Sequence, residues 1–188
     1  MKIYLLLGHP DSSSFNAQIA ETYAIAAKNK GHEVRMQKLG DLKFDPILWE
    51  GFKTKQELEP DLIQAQENLS WCDHWVIVYP IWWGSFPALL KGYFDRVLLS
   101  GFAFKYKKDS PLWDKLMKGR SAEVITTCDA PTLWIWLMYR NSDLNTIRRA
   151  ILEFCGFKFK RSTRIGRMRF LDETQRSKIL KQISSLVS

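Results

Sequence analysis

The strongest constraint on the fold is a set of short apolar runs that stop at sharp breakers, with helix-length amphipathic segments between them. Ile3 to Leu7 is continuously apolar and ends at Gly8-His9-Pro10. Trp75-Val76-Ile77-Val78 lies inside a run from His74 to Tyr79 that ends at Pro80, and Ala122 to Thr127, although it contains Glu123 and two threonines, reads as a further buried strand. Runs of this kind suit strands buried on both faces. Such strands need helices on both sides of their sheet, and the intervening sequence supplies them. After Ser12-Ser13-Ser14, a set of N-cap candidates, apolar residues recur at Ile19, Ala20, Tyr23, Ala24 and Ala27, which is helical spacing. Lys28 and Lys30 in the last turn and Gly31 beyond it mark the end.

The same reading extends along the chain. Glu33 to Lys38 reads as a second strand, and Pro60 to Ser70 as a helix with Pro60 near its first position. Leu89, Leu90, Tyr93, Phe94, Val97 and Leu98 mark a third helix. An aromatic loop is expected after Thr127, then a helix carrying Leu144, Ile147, Ile151, Leu152 and Cys155, closed by Gly156. Phe157 to Ile165 is a more polar strand suited to an edge, and Asp172-Glu173-Thr174-Gln175 reads as a capping box opening a last helix. Strands and helices alternate throughout, so the expected architecture is α/β with a five-stranded parallel sheet in the order 2-1-3-4-5. No repeat or linker divides the 188 residues, and residues 1–188 read as one domain.

In an open α/β sheet the binding crevice lies at the carboxyl ends of the strands, where strand order reverses. Three loops of unusual composition fall there. The first, Gly8 to Asn16, joins a strand to a helix N-terminus, whose unpaired N–H groups attract anions. His9, Ser14 and Asn16 add side-chain donors. The second, Tyr-Pro-Ile-Trp-Trp-Gly-Ser-Phe-Pro from Tyr79 to Pro87, places adjacent tryptophans at a strand end. It reads either as a wall for a flat ligand or as a core cap or subunit contact. The third, Thr126 to Thr132, supplies hydroxyls and N–H groups, or is an ordinary turn with Asp129 and Pro131. Together they offer a phosphate cradle, an aromatic wall and a polar edge, the parts a flavin nucleotide needs. No Gly-x-Gly-x-x-Gly fingerprint or P-loop competes with this reading.

Composition narrows the classes further. The formal net charge is +8, from 28 Lys and Arg against 20 Asp and Glu, which favours anionic ligands without choosing among them. The late basic stretch Lys158 to Arg169 reads as a solvated face, so no nucleic acid partner is expected. Three cysteines, Cys72, Cys128 and Cys155, form no Cys-x-x-Cys pair. Free thiols suit a reducing compartment. With no signal-like segment and no run long enough to span a bilayer, the expected location is cytoplasmic, without membrane insertion. His9, His32 and His74 have no metal-ligand spacing, and no metal is expected.

The residues also carry a family resemblance. His9-x4-Ser14-Phe15-Asn16, then Pro80-x-x-Trp83-x-x-x-Pro87-Ala88-x-Leu90-Lys91-Gly92-x-Phe94-Asp95-Arg96-Val97, then Thr126-Thr127 and Phe154-Cys155-Gly156-Phe157 resemble the NAD(P)H:quinone oxidoreductases of the DT-diaphorase and modulator-of-drug-activity types. The likeness runs from Met1 to about Phe159 and is densest between Trp75 and Phe104. It implies a flavodoxin-like three-layer sandwich, a bound flavin (FAD or FMN), NAD(P)H as electron donor, a quinone or similar acceptor, and a homodimer. It places His9, Ser14, Phe15 and Asn16 at the flavin's phosphate and ribityl region. Pro80, Ile81, Trp82, Trp83 and Gly84 fall along the isoalloxazine, and Thr126 and Thr127 near its pyrimidine edge, with Cys128 and Asp129 next to them as further candidate cofactor contacts. Cys128-Asp129 stand where the DT-diaphorase type has two glycines. The Tyr and His that assist hydride transfer there have no match here, although Trp134 and Arg140 fall near those offsets, so no catalytic acid or base is named. Leu133 to Tyr139 reads as a lid or acceptor pocket or as a dimer contact, Phe102 to Tyr106 as a short strand that meets a partner subunit, and a dimer contact is the expectation for both. Two rival roles share the fold: a flavodoxin-type electron carrier, and an ancillary subunit of a potassium efflux system.

Overall fold

The computed structural model describes residues 1–51, 53, 54 and 56–187. The apolar runs form strands β1 (Lys2–Leu7), β3 (His74–Pro80) and β6 (Ser121–Thr127). They are joined by β2 (Glu33–Lys38) and β7 (Lys158–Ile165) into one parallel sheet of order β2-β1-β3-β6-β7. This is the expected 2-1-3-4-5 order. A short antiparallel hairpin, β4 (Phe104–Tyr106) with β5 (Trp113–Lys115), lies between the third and fourth strands of the main sheet.

Alternation along the strands sorts side chains into two cores. Tyr4, Leu6, Trp75, Ile77, Tyr79, Ala122 and Val124 point to one face. There they meet α2 (Pro60–Trp71), α3 (Ala88–Val97) and the helical segment ending at Cys155. Ile3, Leu5, Leu7, Val76, Val78 and Ile125 point to the other, under α1 (Phe15–Asn29) and α7 (Glu173–Leu186). Trp75 is fully buried, stacked on Tyr4 with ring centroids 6.0 Å apart and edge-on to Phe94. A buried ring of this size contributes on the order of 3–5 kcal/mol.

The local signals in the sequence have their structural counterparts. Ser14 caps α1, its hydroxyl accepting from the Ala17 N–H, and Gly31 follows the helix at φ +80°. Pro60 opens α2, and Asp172 and Gln175 form the capping box of α7. Two segments differ from expectation. The aromatic stretch after Thr127 is a helix, α4 (Thr132–Tyr139), not a loop. Its apolar residues surround the helix axis without a polar face, so no periodicity announced it. The helix expected around Leu144 to Cys155 is broken into α5 (Ser142–Asn145), a π-helical stretch (Thr146–Leu152) and α6 (Glu153–Cys155), closed by Gly156 at φ +108°.

The late basic residues are partly internal. Arg161 lies against the buried carboxylate of Glu123 at 2.6 Å, and Arg164 against buried Asp143 at 2.7 Å. Arg167 and Arg169 sit over the Phe170 ring. No helix among the described residues is long and apolar enough to cross a membrane.

Candidate functional site

Parallel register brings the ends of β1, β3 and β6 to one level: Leu7 pairs with Val78, and Pro80 with Thr127. The three loops leave from there and bond to one another. The Gly8 N–H donates to the Val78 carbonyl at 2.7 Å, and the Ile81 N–H donates to the Thr127 carbonyl at 2.7 Å. Asn16 Nδ2 donates to Thr127 Oγ1 at 2.9 Å, and that hydroxyl donates back to Asn16 Oδ1 at 3.2 Å. Both residues are buried. The His9 ring meets Trp82 edge-on, with centroids 5.6 Å apart.

In the first loop, the Asp11 N–H donates to His9 Nδ1 at 2.9 Å. A neutral His9 therefore carries its hydrogen on Nε2, a donor. Partial burial lowers the His9 pKa against the opposing pull of Asp11, which favours that neutral form. The serine triplet divides its tasks. Ser12 donates to Asp41, Ser13 donates to Asp11, and Ser14 caps the helix. The first-turn N–H groups of Phe15 and Asn16 have no partner among the described residues, so the start of a 15-residue helix offers donors and its positive dipole end. The Phe15 ring is half-buried beneath the Arg176 guanidinium, 5.3 Å from its centroid.

The second loop is a tight turn. Trp82 and Ser85 exchange N–H···O bonds of 2.9 Å in both directions. The two central residues have positive φ, Trp83 at +52° and Gly84 at +70°, the type I′ pattern. Their N–H groups have no partner among the described residues. Trp83 is 102% exposed and Trp82 44%, while Pro80 and Ile81 are buried at the strand end. A fully exposed indole in the left-handed region is costly on two counts.

The third loop divides. Thr126 and Thr127 are buried at the sheet end, and Thr126 Oγ1 has no hydrogen-bond partner. Cys128 and Asp129 are tied instead to the segment after β7. The Cys128 thiol donates to the Ala130 carbonyl at 3.3 Å, its N–H donates to the Ile165 carbonyl, and Asp129 accepts from the Arg169 N–H at 3.2 Å. Burial raises the Cys128 pKa, so it stays a thiol and makes a poor nucleophile. Of the residues singled out in the sequence, His9, Asn16, Pro80, Ile81, Trp82 and Thr127 are linked directly across loops. Ser14 and Phe15 start the adjacent helix, Trp83 and Gly84 form the exposed turn after β3, Thr126 is buried near the end of β6, and Cys128 and Asp129 are bound into the neighbouring turn.

Sequence reasoning did not reach the residues that hold the second loop. Ser142 Oγ donates to the Gly84 carbonyl at 2.7 Å across 58 residues of sequence. The Tyr139 ring lies where a Cβ on Gly84 would come within 3.1 Å of it. No local pattern signals either contact.

The helix N-terminus, the exposed indoles and the orphaned hydroxyl of Thr126 fit the phosphate, ring and polar edge of a flavin nucleotide. Strand order defines a flavodoxin-like α/β protein with the three loops at its switch point. A family model for the flavodoxin-like fold matches residues 1–187, and the chain belongs to that family. It is 30% identical over 180 residues to NAD(P)H dehydrogenase (quinone) 1 of Rattus norvegicus. That match covers 82% of this chain, which spans 64% of the rat enzyme's length. A crystal structure from Streptococcus mutans superposes with a TM-score of 0.82 at 28% identity, covering 100% of this chain and 98% of that one. The NAD(P)H:quinone oxidoreductase of Methanothermobacter marburgensis superposes at 0.80 with 23% identity, covering 98% and 93%, a likeness of fold.

Proposed function

We propose that the chain is a flavin-dependent NAD(P)H oxidoreductase that delivers electrons to a quinone or a similar small acceptor. The observation that carries this reading is the convergence of the three loops, bonded through Asn16–Thr127, His9–Trp82 and Ile81–Thr127, at one crevice. The likeness to the rat quinone dehydrogenase supports the same activity. A bound flavin, FAD or FMN, would supply hydride acceptance from the nicotinamide and delivery to the acceptor.

The residues of this chain would bind and orient. The α1 N-terminus and His9 Nε2–H receive phosphate oxygens. Trp82 and Trp83 form the wall of the ring site and shed exposed apolar surface when it is covered. The N–H groups of Trp83 and Gly84 and the Thr126 hydroxyl offer donors to ring heteroatoms. The Asn16–Thr127 pair holds the helix start against the sheet end, which fixes the distance between phosphate and ring subsites.

We also read the protein as a homodimer. A cleft of about 550 Å³ lined by Phe94, Leu98, Phe104, Tyr106, Ile151 and Phe154, together with the exposed apolar face of α4, supports that reading. A cytoplasmic location agrees with three buried free thiols, of which burial pushes Cys72 and Cys155 up to about 12.

The test is an absorption spectrum of protein reconstituted with FMN and with FAD, before and after anaerobic NADPH and NADH, then with a quinone. The expected result is a yellow protein that bleaches with one nicotinamide and recovers with the quinone. Colour that no nicotinamide bleaches would assign a carrier, and failure to retain either flavin would overturn the site.

A further inference from the structure

The Trp82–Ser85 turn and the linker from α4 to α5 are both held in unfavourable backbone. Trp83 and Gly84 have positive φ, and so do Arg140 at +48° and Asn141 at +54°. Such conformations are unfavourable in non-glycine residues and persist where surrounding contacts over-determine them. The contacts here form one chain. Arg164, at the end of β7, donates from Nη1 to Asn141 Oδ1 at 2.5 Å and from Nη2 to both Asp143 oxygens at 2.8 and 2.7 Å. Asp143 is fully buried. Between those two acceptors lies Ser142, whose hydroxyl donates to the Gly84 carbonyl at 2.7 Å. Asn145 Nδ2 donates to the Arg140 carbonyl at 2.8 Å and closes the linker.

We infer that Arg164 anchors a positioning relay through Asn141, Asp143 and Ser142 that sets the orientation of the Trp82–Ser85 turn. Arg164 is remote from the crevice in sequence and acts through the turn. The guanidinium fork fixes the two residues flanking Ser142, and so fixes where the Ser142 hydroxyl points. That hydroxyl pins one carbonyl of a two-residue turn, and the peptide planes on either side follow it. The planes that follow include the Trp83 and Gly84 N–H groups. The relay therefore decides whether these donors and the Trp83 indole face the crevice, and its consequence for cofactor binding rests on the flavin reading of that crevice.

Ser142→Ala removes one exposed hydroxyl and spares the buried pair, and Arg164→Lys keeps a cation beside Asp143 while losing the fork. Hydrogen exchange is followed at the Trp82 and Ser85 amides and, as an internal control, in β6. Affinity for FMN and FAD is measured on the same preparations. The expected result is about tenfold faster exchange at Trp82 and Ser85 in both variants, as loss of one hydrogen bond implies, with a smaller change in β6. Flavin affinity is expected to fall about tenfold in parallel. Turn exchange equal to wild type in both variants overturns the relay. A loosened turn with unchanged flavin affinity overturns its hold on the cofactor wall. Wild-type protein that binds neither flavin overturns the flavin reading, and the exchange result then judges the relay by itself.

Discussion

Trp83 shows stability and site geometry opposed in one residue. It occupies the first central position of a type I′ turn, where Asn is favoured because its short side chain tolerates positive φ. Its indole is fully exposed, so it gains no burial in return. Trp83→Asn gives the turn the Asn-Gly pair it favours and is expected to stabilise the flavin-free protein by about 1 kcal/mol. That is a rise of about 2–4 °C in melting temperature for a chain of this size. The same substitution removes half of the aromatic wall, so FMN or FAD affinity measured by titration should fall at least about tenfold, since aromatic stacking is worth about 1–3 kcal/mol. A destabilised variant would overturn the opposition of strain and site at Trp83, and one binding flavin as tightly as wild type would remove Trp83 from the site. By contrast, the Asn16–Thr127 pair combines packing and site-building, because each buried amide or hydroxyl is satisfied by its partner in the opposite loop.

Among the elements, α4 stands out. Of its residues only Ile135 is buried, while Leu133, Trp134, Trp136, Leu137, Met138 and Tyr139 are 45–63% exposed. A helix apolar all round is stable only when something covers it. Under the dimer reading a second copy does so, and Trp136→Glu at the exposed face should shift the sedimenting species from dimer toward monomer. The fold should survive, because Trp136 is 57% exposed within one chain. A wild-type chain that sediments as a monomer at micromolar concentration would end the dimer reading. The π-helical stretch that follows α5 carries the chain back to the sheet at β7, whose Arg164 then reaches up to the linker between α4 and α5.

On the scale of the whole molecule, the two ends of the sheet have different electrostatics. At the carboxyl ends lie the three loops and the start of α1. Near the amino ends Glu123 is buried in β6 among His74, Arg161 and Tyr23. Burial there raises its pKa, but the neighbouring His74, Arg161 and Tyr23 side chains outweigh it and leave the pKa below the ordinary 4.5. A carboxylate whose folded pKa is depressed stabilises the fold above the unfolded value, and that contribution is lost as pH falls through the folded one. Denaturant titrations between pH 7 and pH 3 should therefore show a fall in stability below about pH 4.5. Glu123→Gln should flatten that part of the profile while lowering stability at pH 7, and an unchanged acid limb would exclude Glu123 as its source. The amino-acid sequence by itself determined the sheet, its order, the caps and the three crevice loops. Each of these is written in local signals: runs of apolar residues, helical periodicity, the Ser12-Ser13-Ser14 triplet, Pro60, Gly31 and the Asp172–Gln175 box. It left open which serine caps and which bind carboxylates, because Asp41 comes to Ser12 from the turn after β2. It also gave α4 as a loop, since a helix without a polar face has no period to detect. Only the tertiary structure decided that Ser142 and Tyr139 hold Gly84, and that Cys128 and Asp129 turn toward the end of β7. The physical reason is that these contacts join backbone groups to distant side chains, and a carbonyl or N–H is identical in every residue and marks no partner in the sequence.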